Sequence, residues 1–192
     1  MTIPNILQRV QDKGYAIFTR GDYNLNIIGV RSPSRLSGKF DDKMYVVFKQ
    51  HDEWKELSFD ITTDAGLYYL YNPMRVIGTA ILVAGQYRGV YKLDLHGGKY
   101  LALCQRNGKV KVYRDDNKDQ ILDHDEEKTA SGYYGINIHR SSTREGGSEN
   151  VGKWSAGCQV FQNPKEYDAF IALCERSAET YGNSFTYTLL ED

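Results

Sequence analysis

Gly135-Ile136-Asn137-Ile138-His139 is followed, after fifteen intervening residues, by Ser155-Ala156-Gly157-Cys158. An apolar run ends on a histidine, a polar loop follows, and the chain returns on a glycine turn that carries a cysteine. These are the parts of a cysteine nucleophile site, in the order His then Cys. A free thiol titrates near about 8.5, so only roughly 3% is thiolate at neutral pH. A neighbouring imidazole can take that proton and hold an ion pair, which raises the reactive fraction. Gly157 allows the backbone to approach a substrate carbonyl, with the amides around Gly157 and Cys158 aimed at a developing oxyanion.

Outward from this stretch the chain has the rhythm of a β-rich protein. Short β-branched and aromatic runs fall at Tyr15–Thr19, Leu25–Val30, Met44–Lys49, Glu56–Ile61, Leu67–Tyr71, Thr79–Val83, Gly89–Leu93, Tyr100–Cys104 and Val110–Tyr113. Gly, Pro, Asn and Asp punctuate them, as in antiparallel sheets. Ile6, Leu7 and Val10 lie at helical spacing and predict a short helix ending at Gly14. Asn163-Pro164-Lys165-Glu166 opens a second helix with an N-cap and a proline at N1. Tyr167, Phe170, Ile171, Cys174 and Ala178 form its apolar face, Gly182 closes it, and Phe185–Leu189 reads as a last strand. Residues 114–130 are strongly charged and read as a solvated acidic loop, since the glycine and terminal glutamate of a calcium-binding loop are missing. The expected fold is mostly β, sandwich-like or barrel-like, with a helix near each end.

Composition removes several classes of function. The 192 residues carry a net charge of −1, which gives no electrostatic argument for nucleic acid or an anionic membrane. No apolar run is long enough to span a bilayer. The first residues lack the basic segment and apolar core of a Sec-type signal peptide. Three cysteines without paired spacing read as reduced thiols. Cys104 lies in a strand-like run and Cys174 on a helix face, so both read as core. His51, His96, His124 and His139 all precede Cys158, which disfavours papain-like sites, where the cysteine comes first.

His139, the intervening loop and Ser155-Ala156-Gly157-Cys158 together resemble the signature of the L,D-transpeptidase (YkuD-like) family, a histidine followed at a set distance by Ser/Thr-His-Gly-Cys. The match is close over about 25 residues and looser from Gly78 to Phe161. Ala156 replaces the family's second histidine, and Gln159, Val160 and Phe161 stand where the family often has an arginine. The resemblance implies a catalytic region over residues 76–192, with a β-rich segment over residues 1–75 that is part of the same domain or a gate to it. It implies Cys158 as nucleophile, His139 as base and the Arg140 carbonyl as the group that orients the imidazole; Gly157 allows the backbone approach, and Ser155 either orients the turn or donates to the substrate. The implied partner is a peptidoglycan stem peptide, cut at an L,D bond through a thioester, without a cofactor. Action in the periplasm or cell wall after delivery is the corresponding expectation.

His96, Tyr134 and Trp154 are candidate substrate contacts. A zinc site from His96, His139 and Cys158 with Asp94 or Asp115 is the chemical rival, but no pair has short ligand spacing, so no metal is expected. A wall-binding or phage structural module that keeps the fold without catalysis is the alternative of a different class. A nucleophilic Cys158 is expected to alkylate well below about pH 8, whereas a packed thiol stays inert.

Overall fold

The computed structural model describes residues 2–192. The described chain runs α1 (Asn5–Asp12), β1 (Asn26–Arg31), β2 (Asp42–Gln50), β3 (Glu53–Thr62), α2 (Leu67–Tyr71), β4 (Thr79–Leu82), β5 (Gly85–His96), β6 (Tyr100–Gln105) and β7 (Val110–Asp115). A short 3₁₀ turn (Glu126–Lys128) then leads to β8 (Thr129–Gly132), β9 (Ile138–Arg140), β10 (Gln159–Phe161), α3 (Pro164–Tyr181) and β11 (Phe185–Glu191). Eight strands close into a barrel in the order β1-β11-β5-β6-β9-β10-β3-β2, and β4, β7 and β8 form a separate antiparallel sheet. The barrel is mixed: β1 with β11 and β9 with β10 are parallel. Strands β1 to β3, from the first third of the chain, are staves of the same barrel as the strands that flank His139 and Cys158. The fold is thus mostly β with three helices.

Closure explains the burial. Every residue of β1 is buried, since one face meets the barrel core and the other meets α1. Ile28 and Val30 pack with Ile6, Leu7 and Val10 of α1, while Ile27 faces inward. Gly29 is required by its neighbour, because a Cβ there would come within 1.9 Å of the Tyr187 hydroxyl. At the other end, Asn163 caps α3 by accepting from the Lys165 amide at 2.9 Å. Tyr167, Phe170 and Cys174 of α3 then join Phe59 and Phe161 in the main core. Each such aromatic contributes roughly 2 to 3 kcal/mol by burial, and together they brace β10, the strand that follows Cys158.

Three segments depart from the sequence expectation. Tyr15–Thr19 is not a strand. Its neighbour β1 is already paired on both edges, so Phe18 and Ala16 bond instead to the side chains of Asn26 and Gln86. Leu67–Tyr71 is a helical turn with only Leu70 buried; Tyr68 and Tyr71 are exposed rather than packed on a sheet. The acidic segment is more ordered than a solvated loop: β7 extends to Asp115, Leu36 bridges Ile121, and Leu122 is buried.

A buried ion cluster ties the two sheets together. Arg31 of β1 lies 3.1 Å from Asp64 and 3.1 Å from Glu191, and donates to the β4 carbonyl of Leu82 at 2.8 Å. Asp42 accepts from the Ser32 and Thr63 amides, and burial beside Asp64 pushes its carboxyl up to about 7. This cluster fixes β4, which matters because Ala80 of β4 abuts the cysteine turn.

Candidate active site

Parallel pairing of β9 with β10 sets Ile138 opposite Gln159 and His139 opposite Val160. One step back, that register brings Asn137 beside Cys158. The Asn137 amide donates to the sulfur at 3.4 Å, and the thiol donates to the Gly135 carbonyl at 3.4 Å. His139 lies two residues beyond Asn137 and so projects to the same side of its strand. The fifteen-residue loop therefore returns the cysteine to the strand that carries the histidine.

His139 is buried, and its Nδ1 sits 2.8 Å from the Arg140 carbonyl. That geometry puts the proton on Nδ1 and the lone pair on Nε2. The Tyr100 hydroxyl adds a long contact of 3.5 Å to Nδ1 and donates to the same carbonyl at 3.4 Å. The Arg140 guanidinium lies over the Tyr100 ring at 4.1 Å. His96 stacks on His139 with centroids 4.2 Å apart, and its Nδ1 accepts from the Asn137 amide group at 3.0 Å. His96 thus serves as a wall for the imidazole and spans the Asn137–His139 side of the strand.

The turn is stapled from within. The Ser155 hydroxyl donates to the Cys158 carbonyl at 2.8 Å and accepts from the Gly157 amide at 3.1 Å. This corrects the expectation of a Gly157 amide aimed at an oxyanion, since that N–H is committed to Ser155. Among the described residues the Cys158 amide has no hydrogen-bond acceptor. Gly157 has φ of 120°, and a Cβ there would come within 2.2 Å of the Ala80 carbonyl oxygen.

Electrostatics correct a second expectation. Burial, then the neighbouring His96, pushes the His139 imidazole down to about 3. Burial pushes the Cys158 thiol up to about 11, against the Asn137 hydrogen bond that favours thiolate. Cys158 is half-buried as a residue, yet protein encloses its sulfur. Thiol and imidazole are therefore each neutral at rest. Simple alkylation should follow the small thiolate population. The iodoacetamide rate at Cys158 is expected to rise about tenfold per pH unit from pH 7 to 10, since each unit below the thiol pKa costs tenfold in thiolate. A plateau at neutral pH, read by mass spectrometry of the Cys158 peptide, would contradict the neutral resting pair. Cys104 and Cys174 are fully buried and free, with burial raising both.

A cleft of about 170 Å³ opens beside the turn, lined by Ala156, Ile136, Tyr134, Tyr69, Arg75 and Arg114, among others. Tyr134 belongs to it, whereas the exposed Trp154 is not among its lining residues. Two residues that organise the site had no signal in the sequence. The Gln105 side chain accepts from the amides of Tyr134, Gly135 and Ile136 at 3.1, 3.0 and 3.2 Å, which pins the loop entering β9. Asn137 reaches the sulfur, His96 and, through Oδ1, the Gln105 amide at 2.9 Å. Both are amides in unremarkable polar positions, found only once three strands are assembled. Among the described residues, no cluster of three or more His, Cys, Asp or Glu is arranged to hold a metal ion. No described helix is long and apolar enough to cross a membrane.

A comparison with models of known protein families gives no match, and neither does one with curated protein sequences.

Proposed function

We propose that this protein is a cysteine acyl-transfer enzyme acting on peptide stems of peptidoglycan, of the L,D-transpeptidase type. The observation that carries the reading is the paired geometry. Cys158 stands on a stapled glycine turn next to the strand of a buried, neutral His139 whose Nδ1 proton is bound to the Arg140 carbonyl. That leaves Nε2 as a base. The resemblance of the motif to the YkuD-like signature supplies the substrate class.

In the proposed reaction the thiol turns from the Gly135 carbonyl and its proton passes to His139 Nε2. Sγ bonds to the carbonyl carbon of the L,D peptide bond, and the Cys158 amide faces the oxyanion. The carbon–nitrogen bond then breaks, and the His139 proton leaves with the departing amine. A thioester remains. An amine gives a new peptide bond and returns the thiol, while water gives the free acid. Solvent enclosure favours this neutral-pair route, since no charge has to be held in the site before substrate arrives.

The test is intact-mass analysis with a disaccharide tetrapeptide, with and without an added D-amino acid. The expected result is a thioester adduct and release or exchange of the terminal residue by wild type, with neither in Cys158→Ala. An unchanged substrate and no adduct in wild type would sink the enzyme reading and favour a wall-binding module.

A further inference from the structure

Arg114 lies on β7 and is buried, with 8% exposure, yet among the described residues it forms no ion pair. Its Nε has no hydrogen-bond partner, and Nη1 makes only a long bond of 3.4 Å to the Gly78 carbonyl. Its guanidinium lies 4.5 Å above the Tyr134 ring. A buried donor without an acceptor is destabilising, more so when charged. Arg114 lines the cleft beside Ala156, with Arg75 as a second cation, and no Asp or Glu lines that cleft. The next residue, Asp115, points to the opposite face of the strand by alternation, and one of its oxygens accepts from the Asp123 amide at 3.1 Å.

Position relates Arg114 to the nucleophile. It pairs with Ala80 across β4 and β7, and Ala80 is the residue pressed against Gly157. The guanidinium is thus one strand away from the turn that carries Cys158. The residues after Cys158 offer no cation, because Gln159, Val160 and Phe161 are buried in the barrel wall. We infer that Arg114 is an anion subsite that binds the free α-carboxylate of a peptide lying in the cleft, next to the bond that Cys158 attacks. The planar fork and weak hydration of guanidinium suit a carboxylate in a desolvated site, and the Tyr134 ring holds the plane. The identity of the ligand as a peptide rests on the acyl-transfer proposal; the anion site itself does not.

The experiment compares N-acetyl-D-alanine with N-acetyl-D-alaninamide, titrated by NMR into the Cys158→Ala protein. The acid is expected to bind at least tenfold tighter than the amide and to shift the Arg114 Nε–H resonance. Arg114→Gln should erase the preference, and Arg114→Lys should keep part of it. If Arg114→Gln does not fold, the Nε–H shift in the protein with Arg114 intact decides the matter. Equal affinities, or an acid preference without an Nε–H shift, would overturn the inference. Thioester formation by the wild type is read separately with the tetrapeptide acid and its carboxamide. Acid-selective binding without any thioester leaves the anion site standing and removes the acyl-transfer proposal. A thioester formed equally fast from acid and carboxamide removes the anion site alone.

Discussion

His139→Gln is expected to slow formation of the Cys158 thioester on the order of 10³-fold and to change the shape of its pH profile, as loss of a general base does. With the imidazole down at about 3 and the thiol up at about 11, the neutral pair that reacts is populated almost fully between those values. Wild-type acylation should therefore be flat from about pH 5 to 9. The variant has no base, so its residual rate should follow the thiolate and climb about tenfold per pH unit. Stopped-flow acylation with a tetrapeptide donor, or an activated thioester analogue, reads both. A flat profile in the variant, or a loss below tenfold, would remove His139 from the chemistry. A separate control addresses folding. The unfolded chain binds a proton at this histidine below 6.5, whereas the native protein resists until about 3. Between those values the unfolded state holds more protons, so this residue makes stability fall as pH falls. The variant should lose less stability than wild type between pH 6.5 and 3. That change reports the buried neutral imidazole independently of catalysis.

The local periodicities of the chain carried much of the fold. Ile6, Leu7 and Val10 mark α1, Asn163-Pro164 marks the start of α3, and the β-branched runs mark β1 to β7, except that Tyr15–Thr19 forms no strand and Leu67–Tyr71 turns helical. What periodicity leaves open is closure. Nothing local states that β1 pairs in parallel with β11, at the far end of the chain, or that β4 leaves the barrel for a second sheet. β8, Thr129–Gly132, lacks apolar alternation and is a strand only because β7 offers it an edge. The same division holds at the site. Cys158, His139 and Gly157 stand out in the sequence because cysteine acyl transfer would need those residue types at a readable spacing, and β9 and the turn before β10 bring their backbones side by side. Gln105, Asn137, Tyr100 and Arg114 do not, since each makes its contacts between segments distant in sequence. The protonation states were also invisible, because burial and the His96 stack set them rather than the motif. Spacing suggested an ion pair; desolvation makes it a neutral pair at rest.

Gly157→Ala is expected to cost much stability for a change of one methyl group. At φ of 120° an L side chain is strained, and its Cβ would meet the Ala80 oxygen at 2.2 Å. Neither partner can yield cheaply. Ala80 is paired to Arg114 in the β4–β7 ladder, and β4 is held by the Arg31 bond to Leu82. The turn is held by both Ser155 bonds and by the Gln159 amide on the Asn137 carbonyl at 2.9 Å. Strain of about 1 to 3 kcal/mol adds to a steric cost of similar size, a total of roughly 3 to 5 kcal/mol. For a chain of this length that is a fall in Tm of roughly 10 °C or more. Gly182→Ala is the contrast, since φ there is 83° and a Cβ would meet nothing within 4 Å. With ψ at 166° as well, it should cost about 1 to 3 kcal/mol from backbone strain alone, without the steric part, and leave acylation intact. Thermal melts by circular dichroism compare the two. If Gly157→Ala melted within about 3 °C of wild type, the turn would be free to move away from β4. The cleft shared by Ala156 and Arg114 would then not be held in a fixed relation to the thiol. A large fall, with acylation lost even well below the melt, ties the stability of this one turn to the placement of the nucleophile.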